Sequence, residues 1–345
     1  MFTIKMNKKF LVSAFVFGCL FLTLECTPEP SYADGPLYTG QIAVPNYGSG
    51  ASAMPWAIAL KKGFFQDQNI NITGIIASAG GSNDVRNLIA GNLIYAESAM
   101  VPVLRAIQGG ADLKIVDENV HTLAEFVWIT KKDSSINSMS DLKGQRISFT
   151  TPLSSSQLLD EMLLKKVGLT NNDAQLIAIG AFGAALTALQ NGGVDVALIP
   201  EPLYTLNKGR FRTLVWSWNI FPAISNVIGV TSAANAKKNP DVLRGILLAH
   251  RQAVDFMRQH PKESAAIIAN VYRMNPAVVE QVMQELLNNK STDGVTYFSE
   301  GDIDAKGVDT LMAGAYSTGM LQEKINWRNY VDQDFLPTDL KRNLN

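Results

Sequence analysis

The sequence predicts an α/β protein made of two similar lobes. From residue 38 onward, short β-rich runs alternate with helical segments and Gly-rich turns. The same alternation restarts after the polar segment 131–143, and the chain beyond residue 231 has mainly helical periodicity. Strands that alternate with helices form parallel α/β units, so two separated runs of such units indicate two lobes.

The elements of the first run follow in the order strand, helix, strand. Runs of apolar and β-branched residues predict strands at 38–44, 70–77, 93–96 and 125–130, and a turn followed by a strand within 107–116. Helices are predicted at 53–62 and 83–90.

The second run begins with a strand at 146–150 and a helix at 155–167. Further strands are predicted at 174–179, 194–199 and 227–231, and a further helix at 184–190. Beyond them, apolar residues at helical spacing predict helices at 240–259 and 277–288. Pro261 and Pro276 stand just inside helix starts, where the missing N–H costs nothing.

Composition excludes several function classes. The chain of 345 residues is 47% hydrophobic and 18% charged, which is typical of a globular protein. Its net charge of -1 provides no overall positive surplus for nucleic acid or an anionic membrane. Both cysteines lie in the first thirty residues and the three histidines are scattered, so we expect no metal site, no cofactor and no cysteine nucleophile.

The N-terminus has the three-part pattern of a secretory signal. Three lysines precede the apolar run 10–24, and Ser31-Tyr32-Ala33 then places small residues at the -3 and -1 positions of a cleavage site. The run of about fifteen residues is shorter than the roughly 20 that cross a bilayer. We therefore expect cleavage after Ala33 and a mature protein in the periplasm or at the outer face of the cytoplasmic membrane.

A lipoprotein acylated on Cys26 or Cys19 is the alternative. It is disfavoured because Glu25 precedes Cys26 and Phe17 lies two residues before Cys19, where lipoprotein signals have small residues.

Several motifs occur in a characteristic order along the mature chain. They are Ala59-Leu60-Lys61-Lys62-Gly63-Phe64-Phe65, Gly80-Gly81-Ser82, Ser140-Asp141-Leu142-Lys143-Gly144, Gln190-Asn191-Gly192-Gly193-Val194-Asp195 and Glu201-Pro202. In this order and spacing, the chain resembles the substrate-binding proteins of the nitrate, sulfonate and taurine (NitT/TauT) ABC importer family. One departure is Tyr95, which stands where the family usually has Asp.

The resemblance implies a bilobal type II periplasmic-binding-protein fold, a Venus flytrap in which two α/β lobes are joined by crossing strands at 126–130 and 226–230. Residues 1–33 would be the signal peptide, 34–128 and 229–345 the first lobe, and 129–228 the second. The ligand would bind in the cleft between the lobes and close it. The implied partners are a small-molecule ligand and an ABC permease with its cytoplasmic ATPase, the protein being a monomer without enzymatic activity.

Three loops have the composition of a ligand site at strand ends, where ligands of α/β proteins bind. The first, 46–52, contains Tyr47 and Ser49; the second contains Gly81 and Ser82; the third runs from Thr150 to Ser156 and includes Ser154 and Ser155. Their glycines allow close approach of the backbone, and their hydroxyls can donate to an anion. The alternative is that they are only helix caps and turns, which need the same residue types.

Other candidate contacts are aromatic or acidic. Trp56 and Trp218 could border the cleft or belong to the core, and Ser98 and Glu201 follow predicted strands. The serine loops favour a sulfonate or carboxylate ligand, and a zwitterion would also satisfy the carboxylates. A neutral or aromatic ligand such as a pyrimidine or vitamin precursor, a sensory receptor in place of the permease, and an enzyme of the same fold remain alternatives.

Overall fold

The computed structural model describes residues 35–78, 81–91 and 93–344. The α/β class is confirmed, because the strands form two sheets and helices cover them. The predicted signal peptide, Cys19, Cys26 and Gly80 lie outside the described residues. No helix of the described part combines the length and the apolar character required to cross a membrane.

Six strands of the described chain form the first sheet, in the order β11-β4-β10-β3-β1-β2. Strand β1 is parallel to β2 and β3, whereas β10 runs antiparallel to β3 and β4. The strand bounds are β1 Tyr38–Pro45, β2 Ile70–Ser78, β3 Ala96–Ser98, β4 Leu113–Val120, β10 Val227–Ser232 and β11 Phe298–Gly301.

The second sheet, likewise counted over the described residues, has five strands in the order β7-β6-β8-β5-β9. Strand β6 is parallel to β7 and β8, and β5 is antiparallel to β8 and β9. The bounds are β5 Phe126–Lys131, β6 Arg146–Phe149, β7 Gln175–Ala178, β8 Val196–Pro200 and β9 Phe211–Trp216.

Helices cover both sheets. The bounds are α1 Met54–Lys62, α2 Gly81–Gly91, α3 Met100–Gln108, α4 Ser155–Lys166, α5 Phe182–Gln190, α6 Leu203–Leu206, α7 Ala233–Lys238, α8 Pro240–Gln259, α9 Pro261–Tyr272, α10 Pro276–Asn288 and α11 Ala305–Ser317. Helices α1, α8, α9 and α10 share one hydrophobic core on the first sheet, and α3, α4 and α11 share another that reaches the second sheet.

The side chains of β5 alternate between two hydrophobic cores, one on each face of the second sheet. Val127 and Ile129 pack with the core under α5, whereas Phe126 and Trp128 belong to the core that α4 and α11 share. Successive side chains of a strand point to opposite faces, so a strand between two helix layers is apolar throughout.

The chain passes between the sheets twice, at 121–125 and at 217–226. Each strand predicted to cross is paired within one sheet, β5 in the second and β10 in the first. The two passages are bonded to each other, because the Asn226 Nδ2 donates to the Glu125 Oε1 at 3.0 Å. The division into lobes at residues 128 and 228 stays a prediction.

Three element predictions were wrong in detail. Residues 100–108 form helix α3, where the sequence reading had no helix. The strand predicted after a turn within 107–116 is β4, which spans Leu113–Val120 and so ends four residues later than predicted. The last part of the chain is interrupted by β11, whose four residues pair with β4. A four-residue strand is too short for a period of two to stand out in sequence, and edge pairing supplies its stability.

Candidate functional site

A cavity of about 320 Å³ opens between the two sheets, where several strands end. We call it the main cavity. Asn46, Ser49 and Gly50 line it after β1, and Pro200 lines it at the end of β8. Its other lining residues are Glu125, Phe126, Ala181, Phe182, Gly183, Leu203, Leu206 and Met274. Its volume lies in the range of small-molecule sites.

A smaller cavity of about 70 Å³ adjoins it, and we call it the side cavity. The two cavities share four lining residues, Asn46, Glu125, Phe126 and Phe182. The side cavity is otherwise lined by Pro45, Ser52, Ala99, Thr150, Ser154, Ser155, Ser156, Asn226 and Val227. The site therefore has an apolar end in the main cavity and a hydroxyl-rich end in the side cavity.

The loop after β1 is held in a tight turn. Asn46 has a φ of 55° and Gly48 a φ of +87°, a conformation that favours glycine. A Cβ on Gly50 would lie 2.8 Å from the Asn46 Cβ, so only glycine fits there without a shift. The Tyr272 hydroxyl donates to the Gly50 carbonyl at 2.8 Å, which fixes the loop from α9.

The hydroxyl-rich end is built at the start of α4. Ser154 is the N-cap, and its Oγ accepts from the Gln157 N–H at 3.2 Å. The buried Ser156 accepts from the Thr150 N–H at 3.0 Å and lies 2.8 Å from the Ser154 Oγ. Ser155 and Ser156, the first two residues of α4, line the side cavity, so the N-terminal end of the helix and the positive end of its dipole lie at this cavity.

The hydroxyl of Ser155 makes a hydrogen bond toward the first sheet. Its hydroxyl donates to the Asn226 Oδ1 at 3.1 Å, and Asn226 in turn donates to Glu125. A chain of hydrogen bonds thus connects α4 of the second sheet with both passages between the sheets.

The start of α5 supplies the apolar end. Ala181 is the N-cap and makes no side-chain capping bond, and Phe182 and Gly183 line the main cavity beside it. The Phe182 ring lies 5.7 Å from the Phe126 ring, centroid to centroid. The sequence reading missed this turn, although Gly180 and Gly183 follow a predicted strand as the glycines of the selected loops do.

Glu125 is the only ionisable side chain among the described residues that line the two cavities. It is 5% exposed, and burial raises its pKa to about 7. No Lys, Arg or His is among those described lining residues. Arg86 and Arg105, whose facing the sequence left open, are exposed and line neither cavity.

The structure brings four of the predicted ligand contacts to the cavities: Ser49, Thr150, Ser154 and Ser155. Tyr47 is half-buried and packs against the core of the first sheet. Gly81 and Ser82 begin α2, so the second loop is a helix start. Tyr47 and Ser82 line neither cavity.

Trp56 lies inside the core, without an exposed face for a ligand. It is 0% exposed, and its Nε1 donates to the Glu97 Oε1 at 2.6 Å. Asn119 also donates to that oxygen, at 2.7 Å, and to the Tyr95 hydroxyl, which lies 3.2 Å from the Asp117 carboxylate. Tyr95, the departure from the family pattern, is therefore part of a buried polar network.

The other predicted contacts have structural partners. The fully buried Ser98 donates to the Ala99 carbonyl at 3.1 Å. Glu201 accepts from the Thr205 N–H at 3.1 Å and the Thr205 hydroxyl at 2.9 Å, so it caps α6. Trp218 stacks on Trp216 with ring centroids 4.0 Å apart.

Glu125, Phe126, Phe182 and Asn226 are among the lining residues that the sequence reading did not select for the site. Phe126 and Asn226 were within predicted crossing strands, and Glu125 directly precedes one. That position beside a crossing is the signal that could have identified these three, whereas Phe182 follows the glycine turn after a predicted strand. In the described residues, no group of three or more His, Cys, Asp or Glu side chains is placed to hold a metal ion.

Comparison with known proteins identifies a family that matches this chain. Residues 51–264 match the family described as NMT1/THI5 like. A protein of Bacillus subtilis (strain 168) that is named for binding aliphatic sulfonates is 24% identical over 298 residues, which are 84% of this chain and 86% of that protein.

Solved structures share the fold. The periplasmic aliphatic sulphonate binding protein SsuA from Escherichia coli superposes with a TM-score of 0.71 at 20% identity, over 87% of this chain and 93% of that chain. The desulfurization enzyme DSZB has a TM-score of 0.62 at 14% identity, over 86% of this chain and 97% of its own. The bilobal periplasmic-binding-protein fold therefore occurs in binding proteins and in an enzyme.

Proposed function

Because this chain belongs to the NMT1/THI5-like family, we propose that it is an extracytoplasmic solute-binding protein that captures a small organic anion and delivers it to an ABC permease. The resemblance to the sulfonate and nitrate importer family is confirmed by this membership and by the named functions of the relatives. The observation that carries the proposal is the two-ended site between the sheets, apolar in the main cavity and hydroxyl-rich in the side cavity.

The side cavity is suited to a sulfonate or carboxylate head group. Thr150, Ser154 and Ser155 line it, and α4 begins there, so the N-terminal N–H groups of the helix would be available to the head group. A desolvated anion must replace its hydrogen bonds to water, and each charge-assisted bond contributes about 1.5–3 kcal/mol. The helix terminus contributes about 0.3–2 kcal/mol more without a buried cation.

The main cavity is suited to a short apolar body. Phe126, Phe182, Leu203 and Met274 line it, and Leu206 stands at its edge with 47% of its surface exposed. Burying such a body would contribute about 25 cal/mol for each Å² of apolar surface removed from water.

Ligand capture would be completed by closure of the two lobes, with the passages 121–125 and 217–226 as the hinge. The proposed first lobe comprises 34–128 and 229–345, and the second 129–228. The mature protein would be a periplasmic monomer, exported by residues 1–33 and cleaved after Ala33. A permease and its cytoplasmic ATPase would be its partners. N-terminal sequencing should begin at Asp34, and an acylated cysteine would contradict this.

Calorimetry with alkanesulfonates, carboxylates, nitrate and neutral pyrimidines tests the ligand class. We expect measurable binding of a sulfonate or a carboxylate, accompanied by a smaller radius of gyration in small-angle scattering. Binding of neutral rings alone would contradict the anion proposal.

A neutral or aromatic ligand is the second candidate. It is favoured by the absence of Lys and Arg from the described cavity lining and by the Phe126–Phe182 ring pair. Such a ring would stack in the main cavity and donate to Glu125. An enzymatic role has less support, since the cavity lining has no nucleophile beside a general base among its described residues.

A further inference from the structure

The position of Glu125 indicates which chemical groups a ligand of this site needs. Its side chain lines both cavities at the point where the two passages between the sheets meet, and it is 5% exposed. It is held in place from both sides of the cleft. Its carbonyl accepts from the Glu201 N–H at 2.9 Å, and its carboxylate accepts from the Asn226 amide at 3.0 Å.

Among the described residues, no cation is paired with this carboxylate. Its hydrogen-bonding neighbours are neutral: Asn226 donates to it, the Tyr297 hydroxyl lowers its pKa, and the described cavity lining contains no Lys, Arg or His. Burying a carboxylate is costly unless a cation or several donors compensate for the lost water. A simple anion in the adjoining side cavity would add repulsion, so the carboxyl would have to be protonated when such an anion binds.

A ligand with a nitrogen donor removes this conflict. Its acid group would bind at the hydroxyls of the side cavity, which Glu125 also lines, and its N–H groups would donate to the carboxylate. In the ligand-free site, the bonds from Ser155 to Asn226 and from Asn226 to Glu125 link these two polar positions.

We propose that Glu125 is the specificity-determining residue of this cleft and that it selects, among small organic acids, those that also carry a protonated amine or another N–H donor. The inference rests on the proposed function and deepens it, since it assigns the ligand class to zwitterionic or donor-bearing acids. It also assigns a role to a residue that the sequence reading did not select.

The test uses matched probe pairs that differ only in the amine: 3-aminopropane-1-sulfonate against propane-1-sulfonate, and 4-aminobutanoate against butanoate. We expect the amine-bearing member of at least one pair to bind about 10- to 100-fold more tightly, as one charge-assisted bond predicts. In Glu125→Gln, which keeps an oxygen for Asn226, the preference should fall to within about twofold.

Glu201→Gln is the matched control. Glu201 is also buried, and burial raises its pKa to about 7, but its carboxylate caps α6 and lines neither cavity. The control should retain the preference for the amine. Thermal unfolding of both variants establishes that they are folded.

Proton linkage in the unmodified protein is an independent measurement that does not depend on a variant. Burial raises the pKa of the Glu125 carboxyl to about 7, so this group can gain or lose a proton near neutral pH. An ammonium lowers the pKa of the carboxyl, so binding should release protons, whereas a simple anion raises it and should take protons up. Calorimetry in buffers of different ionisation enthalpy measures the difference.

The other groups that face this carboxyl are Glu201, Tyr272 and Tyr297. Burial raises the pKa of each tyrosine well above 10, so neither titrates near pH 7. Glu201 does titrate there, and its charge contributes to the raised pKa of Glu125, so Glu201→Gln should reduce the proton release without abolishing it, whereas Glu125→Gln should abolish it.

The outcomes separate the two proposals. Equal binding of both members of the bound pairs, without proton release, would overturn the role of Glu125 and leave the anion-binding function standing. Binding of none of the four probes would overturn the proposed ligand class and this inference with it. Loss of the preference in Glu201→Gln as well would also contradict it.

Discussion

Replacing Ser155 separates ligand binding from helix capping, because its neighbour Ser154 performs the capping. The Ser154 Oγ accepts from the Gln157 N–H at 3.2 Å, whereas the Ser155 hydroxyl lies at the side cavity and donates to the Asn226 Oδ1. Ser154→Ala should therefore lower the free energy of unfolding by about 1 kcal/mol, the usual cost of a lost N-cap. In a chain of this size that corresponds to a decrease in the melting temperature of about 2 °C.

Ser155→Ala should have the opposite profile. Its hydroxyl makes one partly exposed bond, so we expect a loss of stability of at most about 0.5 kcal/mol. If the hydroxyl donates to a bound anion, the affinity should fall by about 1.5–3 kcal/mol, or roughly 10- to 150-fold.

Chemical denaturation of the free variants and calorimetry with the bound sulfonate or carboxylate measure the two effects. The reasoning would be refuted if Ser155→Ala bound the anion as tightly as the unmodified protein and lost as much stability as Ser154→Ala.

Three further predictions concern stability. The folded protein should be more stable at pH 5.5 than at pH 8, because buried carboxyls with raised pKa bind protons that the unfolded chain has released, and this contribution is lost as the pH rises through about 7. These carboxyls are Asp84, Asp117, Glu118, Glu125 and Glu201. Their combined effect outweighs that of His250, whose pKa is lowered to about 3 by burial and which therefore favours the folded state at higher pH. Urea unfolding at both pH values tests this. Gly229→Ala should destabilise the protein by about 3 kcal/mol or more, since the added Cβ would lie 1.7 Å from the Asp117 Oδ1. In the control Gly183→Ala, the added Cβ would meet no other atom within 4 Å, so the melting temperature should not fall. Trp56→Phe should cost about 1–3 kcal/mol, because it removes the 2.6 Å bond to Glu97, and it should leave ligand affinity unchanged; weakened binding would mean that the buried network positions the cleft.

Most elements and the hydroxyl-rich end of the site could be predicted from the sequence. The helix at 240–259 was predicted to the residue, and the loop from Thr150 to Ser156 was selected because it follows a strand and contains serines. These features are local: helical periodicity, cap composition and the position of a loop after a strand are all contained within a few consecutive residues.

The roles of individual side chains could not be predicted in the same way. Ser82 was selected with the same reasoning as Ser155, and Trp56 as an aromatic residue beside a loop, yet of these three only Ser155 lines the main or the side cavity. A loop at the right end of a sheet still presents some side chains to the core and others to the cleft, and neighbours distant in the chain decide which. Trp56 is turned inward by Glu97, 41 residues away.

The sequence by itself determined the α/β class, the alternation of elements and the family, because hydrophobic periodicity and motif order are properties of short segments. Only the tertiary structure decided that Glu125 lies in the cleft with no positive partner among the described residues and that α5 forms the apolar end of the site. Glu125 is bonded to Asn226, 101 residues further along the chain, and Phe126 to Phe182 is a contact across 56 positions. Such contacts arise when two sheets pack together, and no local pattern contains them, because the energy of burying a charge depends on every element that surrounds it.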